Sequence, residues 1–484
     1  MAELTKQRRM LVLAICCMSL LIVGMDNTIV NVALPSIRTD LNASVEGLQW
    51  TIDSYTLVLA SLLILAGSSA DRFGRRRTFQ SGLVLFTLGS LLCSIAPGLG
   101  WLIVFRMVQA VGGSMLNPVA MSIITNVFTE PQERARAIGI WGGVIGISLG
   151  VGPVVGGLLT ETVGWRSIFW INVPIGLAAV VLAALYVPES RAPRARRVDP
   201  IGQLLVLVVL ASVTYAIINA PQAGWGSLET WALFGVAVLA ALALLAYEPR
   251  RADPLLELRF FRSVPFSAAT VIAVCAFGAF SGFLFLNTLY LQDVRQLSAL
   301  HAGLFLLPMA LVTALFAPVS GRIVGSRGPR LPLVLAGVAM CAGGLALTGL
   351  DRTTSYGWLM ASYAMFAIGF GMVNAPVTNT AVSGMPRSQA GVAAAVASTS
   401  RQVGAALGVA IIGSVINTGS SGAMASDLVS ASRPGWWMIV AAGVCVLLLG
   451  AASTSRRAQR SADRTARLFS AETPTTGPAV IGAP

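Results

Sequence analysis

Charged residues are scarce in this chain of 484 residues, since Asp, Glu, Lys and Arg together make up only 11% of it. Soluble globular proteins carry about a quarter of such residues. Hydrophobic residues make up 55% of the chain, and apolar runs recur along it. Many of them reach about 20 residues, the length that crosses a hydrocarbon core. The composition therefore indicates a membrane protein with many spans.

Residues that serve catalysis or metal binding are also few. The chain has a single histidine, His301, and neither an HExxH nor a GxSxG motif. Its six cysteines all fall within apolar runs, where packing is a simpler explanation than a disulfide framework or a metal cluster. We therefore predict that the chain is not an enzyme and holds no metal and no cofactor.

The net charge of +13 can suggest nucleic-acid binding. The basic residues, however, are dispersed over short loops between apolar runs and form no continuous basic face, so we predict no nucleic-acid partner. Summed over alternate loops, 26 Lys and Arg fall on one side and five on the other. Because cytoplasmic loops carry the excess, this predicts a multi-pass inner or plasma membrane protein with an even number of spans and both termini in the cytoplasm.

Fourteen apolar runs divide the chain into four segments. We predict a six-helix bundle over 1–190, an inserted two-helix hairpin with flanking basic loops over 191–262, a second six-helix bundle over 263–453, and a disordered cytoplasmic tail over 454–484. An internal repeat supports the two bundles, because small residues of the fifth run recur 252 positions later in the thirteenth. Chance is the alternative, since small residues are common at helix interfaces. The predicted fold is all-α and polytopic.

The loop between the second and third runs has the sequence GSSADRFGRRR. Its glycines permit close backbone approach and positive φ, its aspartate can cap the turn or pair with an arginine, and its arginines do not easily cross a bilayer. We predict a tight cytoplasmic hinge that governs conformational switching. The alternative is an ordinary basic loop that only fixes orientation. The residues assigned to this gating loop are Gly67, Asp71, Arg72, Gly74, Arg75 and Arg76.

Three charged residues lie within the first, second and fourth runs: Asp26, Asp53 and Arg106. Intramembrane charges are costly and usually functional. The helical rise places all three at a similar depth in the outer half of the membrane, where a carboxylate can alternate between pairing with Arg106 and holding a proton. Two alternatives are an Arg106 side chain that snorkels to the interface and an Asp53 that only caps its helix.

The fifth run is rich in small residues and contains a Gly-Pro step that permits a kink. Small residues allow close helix packing that can seal one side of the protein, although plain packing is the alternative. The residues of this pattern are Gly139, Ser148, Gly152, Pro153, Gly156 and Gly157.

Arg401 lies near the midplane of the thirteenth run, and no acid lies within the runs of the second half. It can meet an anionic substrate group, a backbone carbonyl or an acid of the first half. The candidate residues of a substrate cavity are Met25, Tyr55, Gln109, Trp141, Asn287 and Arg401.

Several of these stretches resemble the major facilitator superfamily. The basic loop is similar to its loop between helices 2 and 3, Arg106 and Gln109 match its helix-4 motif with Ala110 where glycine is usual, and the fifth run resembles its antiporter motif, with Ser148 in place of a glycine. The stretches LLIVGMDNTIVNVALP (20–35), WRSIFWINVPIG (165–176) and STSRQVG (398–404) resemble the fourteen-span drug:proton antiporter family.

This resemblance implies a monomeric transporter in the lipid bilayer that exports small amphipathic drugs or antibiotics by alternating access, with protons as the coupling ion. It implies a proton-coupling role for Asp26, Asp53 and Arg106. The alternative within the same fold is proton-coupled export or uptake of a specific metabolite or siderophore. A membrane sensor or scaffold is a different class, but it needs neither Asp26 nor Arg106 and usually carries a soluble output domain.

Overall fold

The computed structural model describes residues 5–191, 199–251, 254–383, 385, 390–419 and 425–470. Regular structure within these ranges is helical, with no strand. The main helices are α1 (Lys6–Leu41), α2 (Val45–Phe73), α3 (Arg75–Ser94), α4 (Leu99–Val127), α5 (Pro131–Thr162), α6 (Ser167–Tyr186, broken at Ile171), α7 (Pro200–Ala223), α8 (Leu228–Tyr247), α9 (Val264–Leu289, continued by a π turn to Val294), α10 (Ala299–Arg327), α11 (Arg330–Leu347), α12 (Tyr356–Val382, broken after Gly371), α13 (Ala390–Gly419), α14 (Ala425–Ser453) and α15 (Arg456–Ser470).

Thirteen of the described helices are long and apolar enough to cross a membrane. The helix α3 is not among them, because three arginines occupy its first turn and Thr78, Gln80 and Ser81 follow. It nevertheless has 20 residues and packs along α4. The all-α polytopic fold predicted from the sequence is confirmed, while the count of fourteen spans stays a prediction.

Helix packing follows the sequence repeat. In the first half α5 packs on α1, and in the second half α13 packs on α9. The two halves meet through corresponding pairs as well, with α5 against α10 and α13 against α2. Small residues carry both internal contacts, since a Cβ at Gly156 would lie 2.5 Å from an Ile29 side-chain atom and one at Gly408 would lie 2.2 Å from the Gly278 carbonyl. The repeated glycines therefore mark equivalent contacts in two similar halves.

The inserted helices α7 and α8 lie beside the two halves. The helix α7 packs on α2 and α13, the pair at which the halves meet, and α8 packs on α7. The Gln203 side chain donates a hydrogen bond to the Ser61 carbonyl oxygen, and the rings of Trp50 and Tyr215 lie 5.7 Å apart. The hairpin thus covers one seam between the halves.

The predicted disorder of the tail is wrong for residues 456–470, which form α15. Its buried face holds Ala458, Ala462, Thr465 and Phe469, and all five of its arginines are exposed. Phe469 packs 5.5 Å from the Phe260 ring. The polar composition indicated disorder, but the small residues recur at helical spacing and pack one face of the helix on the second half. Residues 471–484 lie outside the described residues.

Candidate functional site

The charges of α1 and α4 meet in the interior of the first half. Arg106 Nη1 donates a hydrogen bond to Asp26 Oδ2 at 2.5 Å, and the two residues are 1% and 0% exposed. Burial of this degree removes the snorkelling alternative for Arg106. The structure therefore confirms that Asp26 and Arg106 lie at one level and contact each other, whereas their role in proton coupling stays a prediction.

Neutral side chains complete this ion pair. Gln109 Oε1 accepts from Arg106 Nη1 at 2.7 Å, and Gln109 Nε2 donates to Asp26 Oδ1 at 2.8 Å. Arg106 Nε donates to the Thr51 carbonyl oxygen of α2 at 3.2 Å, and the guanidinium carbon lies 4.2 Å from the centre of the Tyr55 ring. Both charges are thus compensated by hydrogen bonds as well as by each other, as buried charges require.

Two residues of this network were not predicted from the sequence. Ser90 Oγ accepts from Gln109 Nε2 at 2.6 Å, and Asn172 Nδ2 donates to Ser90 Oγ at 3.2 Å and to Asp26 Oδ1 at 3.4 Å. Ser90 reaches Gln109 because α3 and α4 almost touch, with the Cβ position of Gly89 only 2.5 Å from Gln109 Cα. The one available signal was an asparagine at the start of an apolar run.

Asp53 lies apart from this network, contrary to the expectation that it shares a site with Arg106. It is fully buried, its Oδ1 accepts from Thr56 Oγ1 at 3.5 Å, and its Oδ2 has no hydrogen-bond partner among the described residues. Gln49, one turn earlier on α2, donates to the Ala410 carbonyl of α13 at 2.8 Å. Asp53 therefore lies on the α2 face that is directed toward the second half.

The helices α5 and α10 run antiparallel and are tightly packed at one end. A Cβ at Gly157 would lie 2.4 Å from the Ala299 carbonyl oxygen, and one at Gly150 would lie 3.1 Å from Ala310 Cβ. This end lies opposite the arginine-rich loops. Further contacts join the halves there, including the Arg38–Asp293 ion pair at 3.5 Å and a hydrogen bond of 2.8 Å from Gln292 Nε2 to the Val32 carbonyl.

The same two helices separate toward the arginine-rich loops. The register that pairs Gly150 with Ala310, and Gly146 with Ala314 at 3.3 Å, would pair Gly139 with Gly321. A Cβ at either of these last glycines meets nothing within 4 Å. Along α5 and α10, the two halves are therefore in close contact on one side of the protein and separated on the other.

The small residues of the α5 motif fall into two groups, those in the tightly packed part of the helix and one in the part where the halves separate. Gly152 and Gly156 pack on α1, Gly157 and the Pro153 carbonyl pack on α10, and a Cβ at Gly24 would lie 2.3 Å from Ser148 Oγ. These five residues, from Ser148 to Gly157, lie in the part of α5 that is tightly packed. Gly139 lies outside this part of α5 and makes no such close contact. The motif therefore packs against neighbouring helices over only part of its length.

Most of the residues predicted to line a substrate cavity are buried in this conformation. Tyr55 and Gln109 contact the Asp26–Arg106 pair, Met25 is buried next to Asp26 in the chain, and Asn287 accepts a hydrogen bond from Tyr363 inside the second half. Only Trp141 and Arg401 are partly exposed. These two remain candidates for substrate contact, whereas the other four do not line an open space here.

The basic loop is shorter than predicted. The helix α2 continues through Gly67 to Phe73, so only Gly74 breaks the chain, with φ of +113°. Asp71 pairs with Arg75 at 3.1 Å. Gly67 is helical and has no neighbour within 4 Å of its Cβ position, so the positive φ and close backbone approach expected there are wrong, while its gating role stays a prediction.

A segment that follows α6 holds this loop in place. The Arg75 amide donates to the Ser190 carbonyl at 2.9 Å, and the Arg76 amide donates to Glu189 Oε1 at 3.2 Å. The Arg77 guanidinium lies 3.7 Å from Glu189 Oε2. The loop thus links α2 and α3 to the end of α6, a partner that the sequence did not indicate. Arg72 lies over the Phe73 ring at 5.5 Å.

Substitution of Gly74 by alanine should destabilise this loop. A residue with a side chain at this φ costs about 1–3 kcal/mol, and the new Cβ would lie 2.6 Å from Glu189 Oε1. Gly67→Ala is the matched control, since it removes a helix-interior glycine with open space around it and should be neutral or slightly stabilising. Thermal unfolding of the two purified variants measures the difference, and equal melting temperatures would contradict the assignment.

Comparison with known proteins identifies the family. Residues 16–409 match the family model of the Major Facilitator Superfamily. The chain is 36% identical over 399 residues to the multidrug resistance protein Stp of Mycobacterium tuberculosis (strain CDC 1551 / Oshkosh), covering 82% of this chain and 74% of that protein. It is 37% identical over 394 residues to the tetracenomycin C resistance and export protein of Streptomyces glaucescens, covering 81% and 73%, and 37% identical over 443 residues to a puromycin resistance protein of Streptomyces alboniger, covering 89% and 88%.

Solved structures agree on the fold. A bacterial homologue of the human lysosomal transporter Spinster, in an inward-facing and occupied conformation, matches with a TM-score of 0.65 and 18% identity over 96% of this chain and 98% of that one. A POT family transporter in complex with 5-aminolevulinic acid matches with a TM-score of 0.67 and 16% identity over 92% and 96%. Together with the family match over residues 16–409, these findings show that the chain belongs to the major facilitator superfamily of membrane transporters.

Proposed function

We propose that this transporter exports small amphipathic drugs or antibiotics in exchange for protons by alternating access. The observation that carries the proposal is the buried Asp26–Arg106 pair in a protein whose halves are sealed on one side and apart on the other. Export is supported by relatives that are named for multidrug resistance and for tetracenomycin C resistance and export. The proposal includes fourteen spans, with α3 crossing as well, and a monomer as the working unit.

The arginine-rich side is proposed to face the cytoplasm, because Lys and Arg concentrate in cytoplasmic loops. Both termini then lie in the cytoplasm, and the conformation described above is open inward. A reporter fused after Ser455 should read as cytoplasmic, and one inserted in the Gly164–Arg166 turn should read as external. The opposite result for both would reverse the assigned direction of transport.

In the proposed cycle Asp26 carries the proton. As an ionised carboxylate it accepts from Arg106, Gln109 and Asn172. A proton on Asp26 would remove the charge that holds Arg106 and weaken this contact between α1 and α4. Such a change within the first half can bias how α1 and α5 meet the second half, which is what coupling requires.

Proteoliposomes test the coupling. Vesicles that contain the full chain and have an acidic lumen should accumulate amphipathic fluorescent dyes, and dissipation of the pH gradient with a protonophore should end the accumulation. Protein-free vesicles are the control. If protein-dependent dye transport is found but is indifferent to the gradient, proton coupling is wrong. If none of a broad dye panel moves, a specific metabolite becomes the better candidate.

Alternating access predicts that Gly139 and Gly321 approach each other in the opposite conformation. In a background without the native cysteines, the pair Gly139→Cys with Gly321→Cys should form a disulfide only in the outward-open state. The pair Gly150→Cys with Ala310→Cys should do so in the conformation seen here, where the Gly150 Cβ position is 3.1 Å from Ala310 Cβ. Oxidative cross-linking at different pH values and dye concentrations measures both yields. Yields that do not change in opposite directions would contradict the movement.

A further inference from the structure

Two arginines lie deep within transmembrane helices, and their surroundings differ. Arg106 has a carboxylate partner, an amide, a backbone carbonyl and an aromatic ring. Arg401 of α13 has no carboxylate within ion-pair distance among the described residues. A guanidinium stays charged at any relevant pH, and an uncompensated charge at such a depth is costly. The positive charge of Arg401 is therefore available to a ligand.

The hydrogen-bonding capacity of Arg401 is also only partly used. Its Nη2 donates to Thr378 Oγ1 of α12 at 2.5 Å, whereas its Nε is buried and has no hydrogen-bond partner in the part of the chain that the structure describes. A guanidinium presents five N–H donors in a planar fork that matches a carboxylate or a similar oxyanion. Thr378 orients the fork and leaves donors for a second group.

Aromatic rings lie next to this guanidinium. Its carbon lies 5.9 Å from the centre of the Phe277 ring, and Phe277 contacts Phe370 with ring centres 5.1 Å apart. Phe370 in turn stacks on Phe280 at 4.1 Å. Phe280 and Phe370 are buried and support Phe277, which is partly exposed and is the ring that lies beside the fixed positive charge.

The Arg401–Thr378 contact lies on the side toward which the halves separate, near the end of the helix Tyr356–Val382. Arg401 and Phe277 are partly exposed, and Thr378 and Asn379 are exposed although they belong to a membrane-spanning helix. Polar side chains in a span usually face the interior of the protein or an aqueous cavity. The exposed polar edge of α12 is therefore placed to border the opening between the halves.

We infer that Arg401, Thr378 and Phe277 form a binding site for aromatic compounds that carry an anionic group such as a carboxylate. The inference rests on the proposed export function and narrows its substrate class. The anionic group would accept hydrogen bonds from the Arg401 fork, and the ring of the compound would pack against Phe277. Protons would enter and leave elsewhere, at Asp26, so substrate charge and coupling charge are held by different halves.

Three probes that share a pyrene ring and a four-carbon chain but carry end groups of different charge test this site: 1-pyrenebutyrate, its neutral amide and 4-(1-pyrenyl)butylammonium. Binding is measured by fluorescence with the full chain in nanodiscs of zwitterionic lipid. The wild type should bind the carboxylate about tenfold more tightly than the amide, as expected for a charge-assisted hydrogen bond in a partly desolvated site, and the ammonium most weakly. Arg401→Gln should remove this preference for the carboxylate and change the affinity for the amide only slightly. Arg401→Lys should retain part of the preference.

Other results would overturn the inference. A wild type that binds the ammonium as well as the carboxylate has no anion site, and this readout does not depend on whether Arg401→Gln folds. An equal loss of affinity for all three probes in Arg401→Gln would indicate that Arg401 has a structural role, such as pairing with an acid of the first half in another conformation. The export proposal is tested separately, by gradient-driven dye transport with the wild type. If the wild type transports dye but shows no preference for the carboxylate probe, only the anion site is wrong.

Discussion

Asp26→Asn should abolish transport driven by a proton gradient, with dye accumulation reduced to the level of protein-free vesicles. The amide keeps the shape of the carboxyl group and can still accept from Arg106, but it cannot titrate. Loss of one partner of a buried pair costs about 3–5 kcal/mol when the other charge is left alone. The Thr51 carbonyl and Gln109 continue to accept from Arg106, so the loss of stability should be smaller and the protein should fold.

Proteoliposomes with an acidic lumen measure this effect, and dye binding and thermal unfolding of the same preparation show that the variant is intact. Asp53→Asn is the matched control, since Asp53 is equally buried but does not contact Arg106. If Asp26→Asn transports normally and Asp53→Asn does not, the coupling role belongs to Asp53. Normal transport by both variants would end the proposed scheme.

Gly157→Val should prevent the sealed side from closing. The new Cβ would lie 2.4 Å from the Ala299 carbonyl oxygen and 2.6 Å from Leu300 Cα, and backbone atoms of a packed helix cannot move aside as a flexible side chain can. Overpacking of this kind costs about 1–3 kcal/mol. Because about 1.4 kcal/mol is a tenfold change in an equilibrium constant, the ratio of inward-open to outward-open protein should fall by about fivefold to a hundredfold. Dye export should fall with it.

The yield of the Gly150→Cys and Ala310→Cys cross-link reports this population directly and should decrease in the presence of Gly157→Val. Gly235→Val in α8 is the control, because it introduces the same β-branched residue at a helical glycine with nothing within 4 Å. If transport is lost but the cross-link yield is unchanged, Gly157 does not act by allowing this side to close.

Much of the fold follows from local features of the sequence. Runs of apolar residues determine helices because the membrane interior offers backbone groups no partners other than each other. The positive φ of Gly74 was foreseeable from a glycine in a basic loop between two apolar runs. Asp26 and Arg106 could be matched in depth because the rise of a helix is fixed. The extent of α2, which continues through Gly67, was not foreseeable, since helix propensity does not distinguish a polar helical end from a loop.

Contacts between segments were decided only by the tertiary structure. Depth along a helix does not give the direction in which a side chain points, so the sequence grouped Asp53 with Arg106 although the structure directs it toward the second half. Ser90, Asn172 and Glu189 were missed for the same reason, because each acts on a helix distant in the chain.

Sequence by itself thus determined the family, the helical class and the common depth of Asp26 and Arg106. Tertiary structure alone decided which glycines seal one side and which stand apart on the other, and it showed Arg401 without a carboxylate partner among the described residues. The physical reason is that apolar periodicity and helical rise are properties of one segment, whereas helix separation and charge compensation depend on how two segments pack.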